Sequence, residues 1–329
     1  MKSSRYIADL DVFPIGLGCM SLSHGYGPPT EASRAEAVLL GALDSGVTLF
    51  DTAALYGFGD NEELLGRVLA PHRNRFTLAS KCGIFRENGK RRIDGRPETL
   101  RKTCEDSLRR LRTDVIDLYY LHRWDKSVPI EDSIGALADL VRAGKIQHIG
   151  LSEVSGATLR KAHAVHPIAA VQSEYSLWTR NPEISVLAAC RELGAAFVAF
   201  SPVGRGFLAD GVPDQLVETD LRSRLPRFQG EAYAQNQGLL TRYKQLAAGL
   251  GCSPAQLALA WLLNRGDDVI PIPGTTSLDH LHDNLGAVDV NLGPEVSAAL
   301  DELFGSHAVQ GARYAEATLH EVDSEEFPR

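Results

Sequence analysis

Hydrophobic positions along the chain fall into short continuous runs that alternate with longer amphipathic stretches. The runs are rich in Val, Ile, Leu or Phe, which is typical of parallel strands buried on both faces of a sheet. The pattern predicts eight such strands, at residues 13–18, 48–52, 76–81, 116–121, 146–151, 169–172, 195–200 and 269–272.

The stretches between these runs carry apolar residues at helical spacing. The stretch at 36–45 stops at a glycine, and Pro97–Leu111 begins with a proline in its first turn. Similar stripes lie at 134–141 and in Pro294–Leu303. Strand and helix alternate about eight times, which predicts an α/β protein built as a single (β/α)8 TIM barrel. Its active site should then lie at the C-terminal rim of the strands.

A length of 329 residues would suit either two ordinary domains or one large barrel. No linker, internal repeat or low-complexity tract divides the chain, so we expect one domain over residues 1–329. The charged stretch 86–97 predicts a solvated loop. The poorly periodic stretch 204–235 predicts a lid or binding loop, and the tail 305–329 could cross the barrel mouth.

A Rossmann domain is the alternative dinucleotide-binding architecture. Gly16-Leu17-Gly18 begins a G-x-G-x-x-G fingerprint, but Ser21 stands at the third glycine position. No helix is predicted to start there, and a partial match is weak, so we reject the Rossmann alternative.

Charge and composition exclude several classes of partner. The chain carries 34 basic and 42 acidic residues, a net charge of −8, which argues against a broad nucleic-acid surface. The longest strongly apolar run, 255–263, is far shorter than the ~20 residues that span a bilayer. Five scattered cysteines predict reduced thiols, and no residues show zinc-like spacing. We therefore expect a cytoplasmic protein with no membrane, metal, nucleic-acid or protein partner.

Four polar side chains stand where predicted strands end. Asp51 closes the second run with Tyr56 five residues later, Lys81 closes the third, and His122 follows the fourth. The C-terminal ends of barrel strands meet at one rim, so we expect these four side chains to converge.

Such a set suits the reduction of a carbonyl group. A lysine ammonium within about 4 Å favours the phenolate and lowers the pKa of a tyrosine from its ordinary value near 10. Asp51 would keep Lys81 charged, and neutral His122 could donate a hydrogen bond to a carbonyl oxygen. Tyr56 is then the proton donor. No side chain supplies hydride, so a nicotinamide cofactor is required.

Motifs at the ends of these strands resemble those of the aldo-keto reductase family, in order and over nearly the whole chain. The motifs are Gly16-Leu17-Gly18-Cys19-Met20, Asp51-Thr52-Ala53-x-x-Tyr56-Gly57, Asn61-Glu62-Glu63-Leu64-Leu65-Gly66, Ser80-Lys81, Ile116-Asp117-Leu118-Tyr119-Tyr120-Leu121-His122, Gly150-Leu151-Ser152, Gln172-Ser173-Glu174-Tyr175-Ser176, Phe200-Ser201-Pro202-Val203-Gly204-Arg205-Gly206 and Ile272-Pro273-Gly274-Thr275-Thr276. The stretch Pro226-Arg227-Phe228-Gln229-Gly230-Glu231 resembles a bacterial subgroup of pyridoxal or broad aldehyde reductases.

The resemblance implies that Tyr56 is the general acid, that Lys81 and Asp51 tune it, and that His122 orients the substrate carbonyl. It also implies a carboxamide site, a stacking partner for the ring, a pyrophosphate loop and an adenosine site. The implied cofactor residues are Gly18, Cys19, Met20, Asp51, Ser152, Gln172, Phe200, Ser201, Pro202, Val203, Gly204, Arg205, Gly206, Ile272, Gly274, Thr275, Thr276, Ser277, His280, Asp283 and Asn284. Four aromatic residues are candidates for the substrate pocket: Tyr26, Phe58, Trp124 and Trp178.

Two departures from the family pattern bear on the cofactor. Glu153 stands where many members carry asparagine, and the stretch 274–280 lacks the lysine and arginine that grip the 2′-phosphate of NADP. Hydroxyl groups, His280 or Arg205 would have to substitute, so NADPH is expected and NADH stays open. The expected function is NADPH-dependent reduction of aldehydes or ketones to alcohols. The alternatives are a redox sensor that holds NADP(H) without turnover and an NAD-linked oxidation of alcohols or sugars.

Overall fold

Eight parallel strands form one sheet in the computed structural model, which describes residues 4–87, 90–209, 212–213 and 215–327. Two further hairpins lie outside this sheet. The strands, numbered along the chain with the hairpin strands included, are β1 (Arg5–Ile7), β2 (Leu10–Val12), β3 (Leu17–Gly18), β4 (Leu49–Asp51), β5 (Thr77–Cys82), β6 (Ile84–Glu87), β7 (Lys90–Ile93), β8 (Ile116–Leu121), β9 (Ile146–Ser152), β10 (Ile168–Glu174), β11 (Ala196–Phe200) and β12 (Val269–Pro271). The order in the sheet is β12-β11-β10-β9-β8-β5-β4-β3.

Backbone hydrogen bonds between the first and last strands of this sheet close it into a barrel. Gly16 N–H donates to the carbonyl of Pro271 at 3.0 Å, and Gly18 N–H donates to that of Pro273 at 3.2 Å. A Cβ atom on Gly18 would lie 2.7 Å from the carbonyl oxygen of Ile272, so only glycine permits this approach. The predicted (β/α)8 barrel is confirmed.

Helices surround the barrel, and most of them turn an apolar stripe toward the protein interior. Their ends follow local signals: Pro97 starts one helix in its first turn, and Ser253 and Gln256 form a reciprocal cap at another. The helices are α1 (Ala32–Asp44), α2 (Asp60–Leu69), α3 (Pro97–Leu111), α4 (Ile130–Arg142), α5 (Gly156–Val165), α6 (Val186–Leu193), α7 (Gly230–Gly249), α8 (Pro254–Leu263), α9 (Leu278–Gly286), α10 (Pro294–Leu303) and α11 (Glu316–Leu319).

The β1–β2 hairpin plugs the barrel at the end opposite the predicted active site. Ile7 and Val12 are fully buried and pack with Leu49, Leu118 and Ile270 from the barrel strands. The sequence pattern did not predict this hairpin, because two strands of three residues are too short to show a clear alternation.

The prediction of a solvated loop at residues 86–97 is wrong. Within the described residues, β6 and β7 pair as an antiparallel hairpin, and Pro97 already belongs to α3. Residues 88–89 of that stretch lie outside the described residues. Their sequence, Asn-Gly, is a strong hairpin-turn signal that the charge of the segment obscured.

The stretch 204–235 contains more regular structure than its weak periodicity indicates. One-turn 3₁₀ helices lie at Gly204–Gly206, Leu221–Arg224 and Pro226–Phe228, and α7 begins at Gly230. Residues 210, 211 and 214 lie outside the described residues. Short 3₁₀ turns have no extended apolar stripe, so sequence periodicity does not reveal them.

No single helix in the described part of the chain is both long and apolar enough to span a membrane. Among the described helices, α7 and α8 taken together reach that length and hydropathy, and the chain bends by 81° between them.

Candidate active site

A buried lysine joins the predicted catalytic residues at the C-terminal rim of the barrel. Lys81 Nζ donates to the Asp51 carboxylate, to the carbonyl oxygen of Thr52 at 2.8 Å and to the Tyr56 hydroxyl oxygen at 3.1 Å. A lysine ammonium has three N–H donors, so all of them are used. Because the Tyr56 oxygen accepts a bond from Lys81, the phenolic hydrogen remains to be donated elsewhere.

Asp51 is fixed through both carboxylate oxygens. Its second oxygen accepts a hydrogen bond from Gln172 Nε2 at 2.7 Å, and both side chains are buried. Asp51 ends β4 and Lys81 is the next-to-last residue of the neighbouring β5, while Gln172 comes from across the barrel in β10. The closure of the barrel therefore brings these groups together.

Two histidines flank the Tyr56 ring. The His122 ring packs edge-on, with its centroid 5.9 Å from that of Tyr56, and the His24 centroid lies 5.5 Å away. His122 Nδ1 is buried and has no hydrogen-bond partner among the described residues. Burial and the nearby charge of Arg123 lower the pKa of His122 well below its usual value, so the imidazole is neutral at neutral pH.

The pKa of Tyr56 differs from the sequence-based expectation. Burial raises it above its ordinary value, and Asp51 adds to the increase, while Lys81 acts in the opposite direction without overcoming them. The expectation that Lys81 brings the pKa of Tyr56 toward neutral pH is therefore wrong in the structure. Desolvation of the phenolate outweighs its attraction to the ammonium group, so Tyr56 is protonated.

A match to a protein-family model identifies the family of the chain that carries this site. Residues 14–304 match the model of the aldo/keto reductase family. The chain belongs to the aldo/keto reductase family. It is accordingly an oxidoreductase that depends on a nicotinamide cofactor.

Two solved structures are similar to this aldo/keto reductase. The glycerol dehydrogenase AKR11B4 from Gluconobacter oxydans matches with a TM-score of 0.86 and 29% identity, over 94% of this chain and 98% of that one. The holo form of the aldo-keto reductase AKR11C1 from Bacillus halodurans matches with a TM-score of 0.74 and 28% identity, over 96% and 99% of the two chains.

The residues predicted to bind the cofactor lie around this reductase's barrel mouth. Between the first and last strands, a Cβ atom on Gly274 would lie 2.9 Å from the carbonyl oxygen of Gly18 and 3.2 Å from the Ser21 hydroxyl. That hydroxyl is buried and has no partner among the described residues. This close approach of the first and last strands requires glycine at position 274.

The other predicted cofactor residues divide by exposure. The buried ones are Ser152, Gln172, Cys19, Ile272, Thr275 and Asn284. Phe200, at the end of β11, is half-buried. Gly274 and His280 are exposed, and Ser277 caps the N-terminus of α9. The Asp283 carboxylate accepts a hydrogen bond from Ser253 at 2.7 Å, which commits it to the α8–α9 contact.

Arg205 is already paired inside the protein. Its guanidinium donates to the buried carboxylate of Glu174 at 2.8 Å and lies over the ring of Tyr314. Ser201 and Arg205 in this loop have positive φ angles of 49° and 57°. Because Glu174 compensates its charge, Arg205 should attract a phosphate less strongly than the sequence analysis predicts. Arg205 does lie in the predicted loop.

The candidate pocket residues separate into two groups. Tyr26 and Trp124 are half-buried at the mouth, and Phe58 is 49% exposed. Trp178 is buried instead: its ring packs against Phe207 and Phe228. The structure therefore places Trp178 in the core and not on the open pocket.

Arg313 in the C-terminal tail binds to the barrel rim, a role that the sequence did not reveal. Arg313 donates to both carboxylate oxygens of Glu153, at 3.2 and 3.1 Å, and both side chains are buried. Ser324 and the backbone N–H of Glu174 also donate to Glu153. Because these partners are far apart in sequence, no local pattern could have found the pairing.

Proposed function

We propose that this protein reduces aldehydes or ketones to alcohols with NADPH, with Tyr56 as the proton donor. The observation that carries the proposal is the hydrogen-bonding of Lys81, which occupies the Tyr56 oxygen and leaves the phenolic hydrogen for a substrate. A bound reduced nicotinamide supplies the hydride. The residues of this chain supply the proton and the orientation of the carbonyl group.

The proton donor and its neighbours have complementary protonation states. Tyr56 carries its proton because burial raises its pKa, and His122 is neutral because burial lowers its own. A neutral imidazole can donate a hydrogen bond to the substrate carbonyl oxygen, which makes that carbon a better hydride acceptor. As negative charge develops on the oxygen, Tyr56 transfers its proton and the ammonium of Lys81 stabilises the phenolate that forms.

Ser152 and Gln172 are the proposed ligands of the cofactor carboxamide, with Phe200 beside the ring. Gln172 is held by Asp51, so one carboxylate positions both Lys81 and this amide. The 201–206 loop and the N-terminus of α9 would receive the phosphates, because backbone N–H groups at a helix start attract anions.

A cation missing from the 274–280 stretch is supplied by α1. Arg34 is exposed on this helix and donates from Nε to the carbonyl oxygen of Thr276. It makes no ion pair with another residue in the described ranges. Arg34 is therefore the proposed partner of the 2′-phosphate, which favours NADPH over NADH.

Oxidation rates of NADPH and NADH measured in parallel with aromatic aldehydes, pyridoxal and dicarbonyls test this proposal. We expect turnover with preference for NADPH, and Arg34→Ala should reduce that preference by about tenfold or more, as for a lost charge-assisted bond. Arg67→Ala is the matched control, since Arg67 on α2 pairs with Glu36 at the surface. Equal use of both cofactors by the unmodified protein would contradict the Arg34 assignment.

Oxidation of a polyol is the second candidate, and one observation favours it. The similar structure from Gluconobacter oxydans is named a glycerol dehydrogenase. The same assay run in reverse, with glycerol and either NADP⁺ or NAD⁺, distinguishes the two directions. Cofactor that binds without turnover in either direction would instead indicate a redox sensor.

A further inference from the structure

Arg123 stands at the active-site rim directly after His122. Its Nη1 donates to the carbonyl oxygen of His122 at 2.6 Å and to the Ser152 hydroxyl at 3.1 Å. The side chain is half-buried. It is also close enough to Tyr56 for its charge to oppose the rise in the pKa of that tyrosine. These contacts fix the guanidinium beside the reacting groups.

Arg123 differs from the neighbouring cations because no carboxylate within the described residues forms an ion pair with it. Lys81 pairs with Asp51, Arg205 with Glu174 and Arg313 with Glu153. Arg123 forms no ion pair with any residue in the part of the chain that the structure describes. The neighbouring carboxylate of Glu153 already accepts hydrogen bonds from Arg313 and Ser324.

An unpaired guanidinium held in this position is a ready anion receptor. Both of these hydrogen bonds use Nη1, so the N–H groups on Nε and Nη2 are left for a ligand. An arginine presents these groups in a planar fork that matches a carboxylate or a phosphate. Partial burial strengthens the attraction, because the local dielectric is lower than that of water.

We propose that Arg123 binds an anionic group on the substrate, so that this reductase prefers carbonyl compounds bearing a carboxylate or phosphate over neutral ones of the same shape. The inference rests on the proposed function, since it concerns the substrate of the same site. Arg123 acts on specificity. Proton transfer remains with Tyr56.

The ortho, meta and para isomers of carboxybenzaldehyde, each compared with its methyl ester, provide the test. With NADPH, kcat/KM of the acid should exceed that of its ester for at least one isomer by about tenfold or more, as for a charged hydrogen bond. Arg123→Met should bring this ratio close to one, mainly through KM of the acid. Arg123→Lys should restore part of it, because lysine keeps the charge without the fork.

Lys126→Met is the control for long-range charge. Lys126 is an exposed cation in the same loop, and its Nζ donates to the backbone carbonyl of Val322. The acid-to-ester ratio should not change in this variant. A ratio near one in the unmodified protein for all three isomers, or a ratio that persists in Arg123→Met, would overturn the inference.

Failure of this inference is distinguishable from failure of the proposed function. Turnover of neutral aldehydes without preference for the acids refutes the role of Arg123 and leaves the carbonyl reductase intact. If no aldehyde is reduced, calorimetric titration of NADP⁺-loaded protein with benzoate and methyl benzoate tests whether Arg123 binds an anion. Binding of benzoate that is lost in Arg123→Met supports the anion site, and equal binding of both compounds refutes it.

Discussion

Burial and a nearby charge have opposite effects on the pKa of Tyr56, the proposed proton donor. Burial keeps the proton on the phenol, while Lys81 lies within hydrogen-bonding distance to stabilise the phenolate once the proton leaves. The raised pKa thus keeps Tyr56 in its protonated form, and the ammonium lowers the free-energy cost of the phenolate charge that proton transfer creates.

The pH dependence of kcat follows from these protonation states. The pKa of Tyr56 is raised and that of His122 is lowered, so both groups hold the form needed for reduction throughout the neutral range. We predict that kcat for aldehyde reduction is flat between about pH 6.5 and pH 10, the ordinary pKa values of the two side chains, because both pKa values are shifted outward from this range. Oxidation needs the phenolate and should accelerate as the pH rises.

A steady-state pH profile in both directions checks this prediction. A bell-shaped profile for reduction, with an ionisation near neutral pH, would show that one of these two groups changes its charge there.

Individual residues were predictable from the sequence where strand ends determine their position. Asp51, Lys81 and His122 follow apolar runs, and the rim of a barrel collects such residues. Arg34 and Arg123 were not assigned a role, because their importance depends on contacts with Thr276 and Ser152 across the rim. Neither contact leaves a local sequence pattern.

At the scale of elements, the C-terminal tail is held to the barrel by ion pairs and hydrogen bonds. Asp323 accepts hydrogen bonds from the backbone and the hydroxyl of Ser155, and Glu325 accepts one from the N–H of Gly156. The tail therefore caps the start of α5. It also places Arg313 beside Glu153 and close to the candidate cofactor residues Ser152 and Arg205.

Removing the Arg313 charge should release the tail. Arg313→Met leaves the buried carboxylate of Glu153 without its cation, and the unfolding free energy should fall by about 3–5 kcal/mol, as for a broken buried ion pair. Glu153→Gln combined with Arg313→Met should recover part of that loss. Chemical denaturation measures both effects, and limited proteolysis should detect the freed tail. An unfolding midpoint equal to that of the unmodified protein would contradict this account.

The Glu153 pair also has a defined pH dependence. Burial acts to raise the pKa of Glu153, but the charges of Arg313 and Arg123, together with neighbouring hydrogen bonds, outweigh it and lower this pKa to about 2. The carboxylate therefore stabilises the fold fully above its unfolded pKa of about 4.3, and this contribution is lost as the pH falls through the folded value.

At the scale of the whole molecule, the central structural feature is the seam that closes the barrel. The number of strands and their parallel direction were predictable from eight apolar runs, because strands buried on both faces have a distinct composition. The plug formed by β1 and β2 was not, since its short strands depend on the barrel interior for their burial.

Gly18→Ala tests the seam. Its Cβ atom would lie 2.7 Å from the carbonyl oxygen of Ile272, so the first and last strands must separate. We predict a loss of about 1–3 kcal/mol in unfolding free energy, the usual cost of overpacking. Gly238→Ala in α7 is the control, because nothing lies within 4 Å of its Cβ, and it should stabilise the helix by about 0.5–1 kcal/mol. Equal stability of the two variants would argue against a closed seam.

The most direct test of the central claim is the single-turnover rate of NADPH oxidation by Tyr56→Phe with a saturating aldehyde. We expect a fall of about 100-fold or more, because general acid catalysis is lost, while the NADPH dissociation constant changes little. Tyr6→Phe, on an exposed tyrosine, should keep the unmodified rate. A Tyr56→Phe variant that transfers hydride at a near-normal rate would contradict the assignment of Tyr56 as the proton donor.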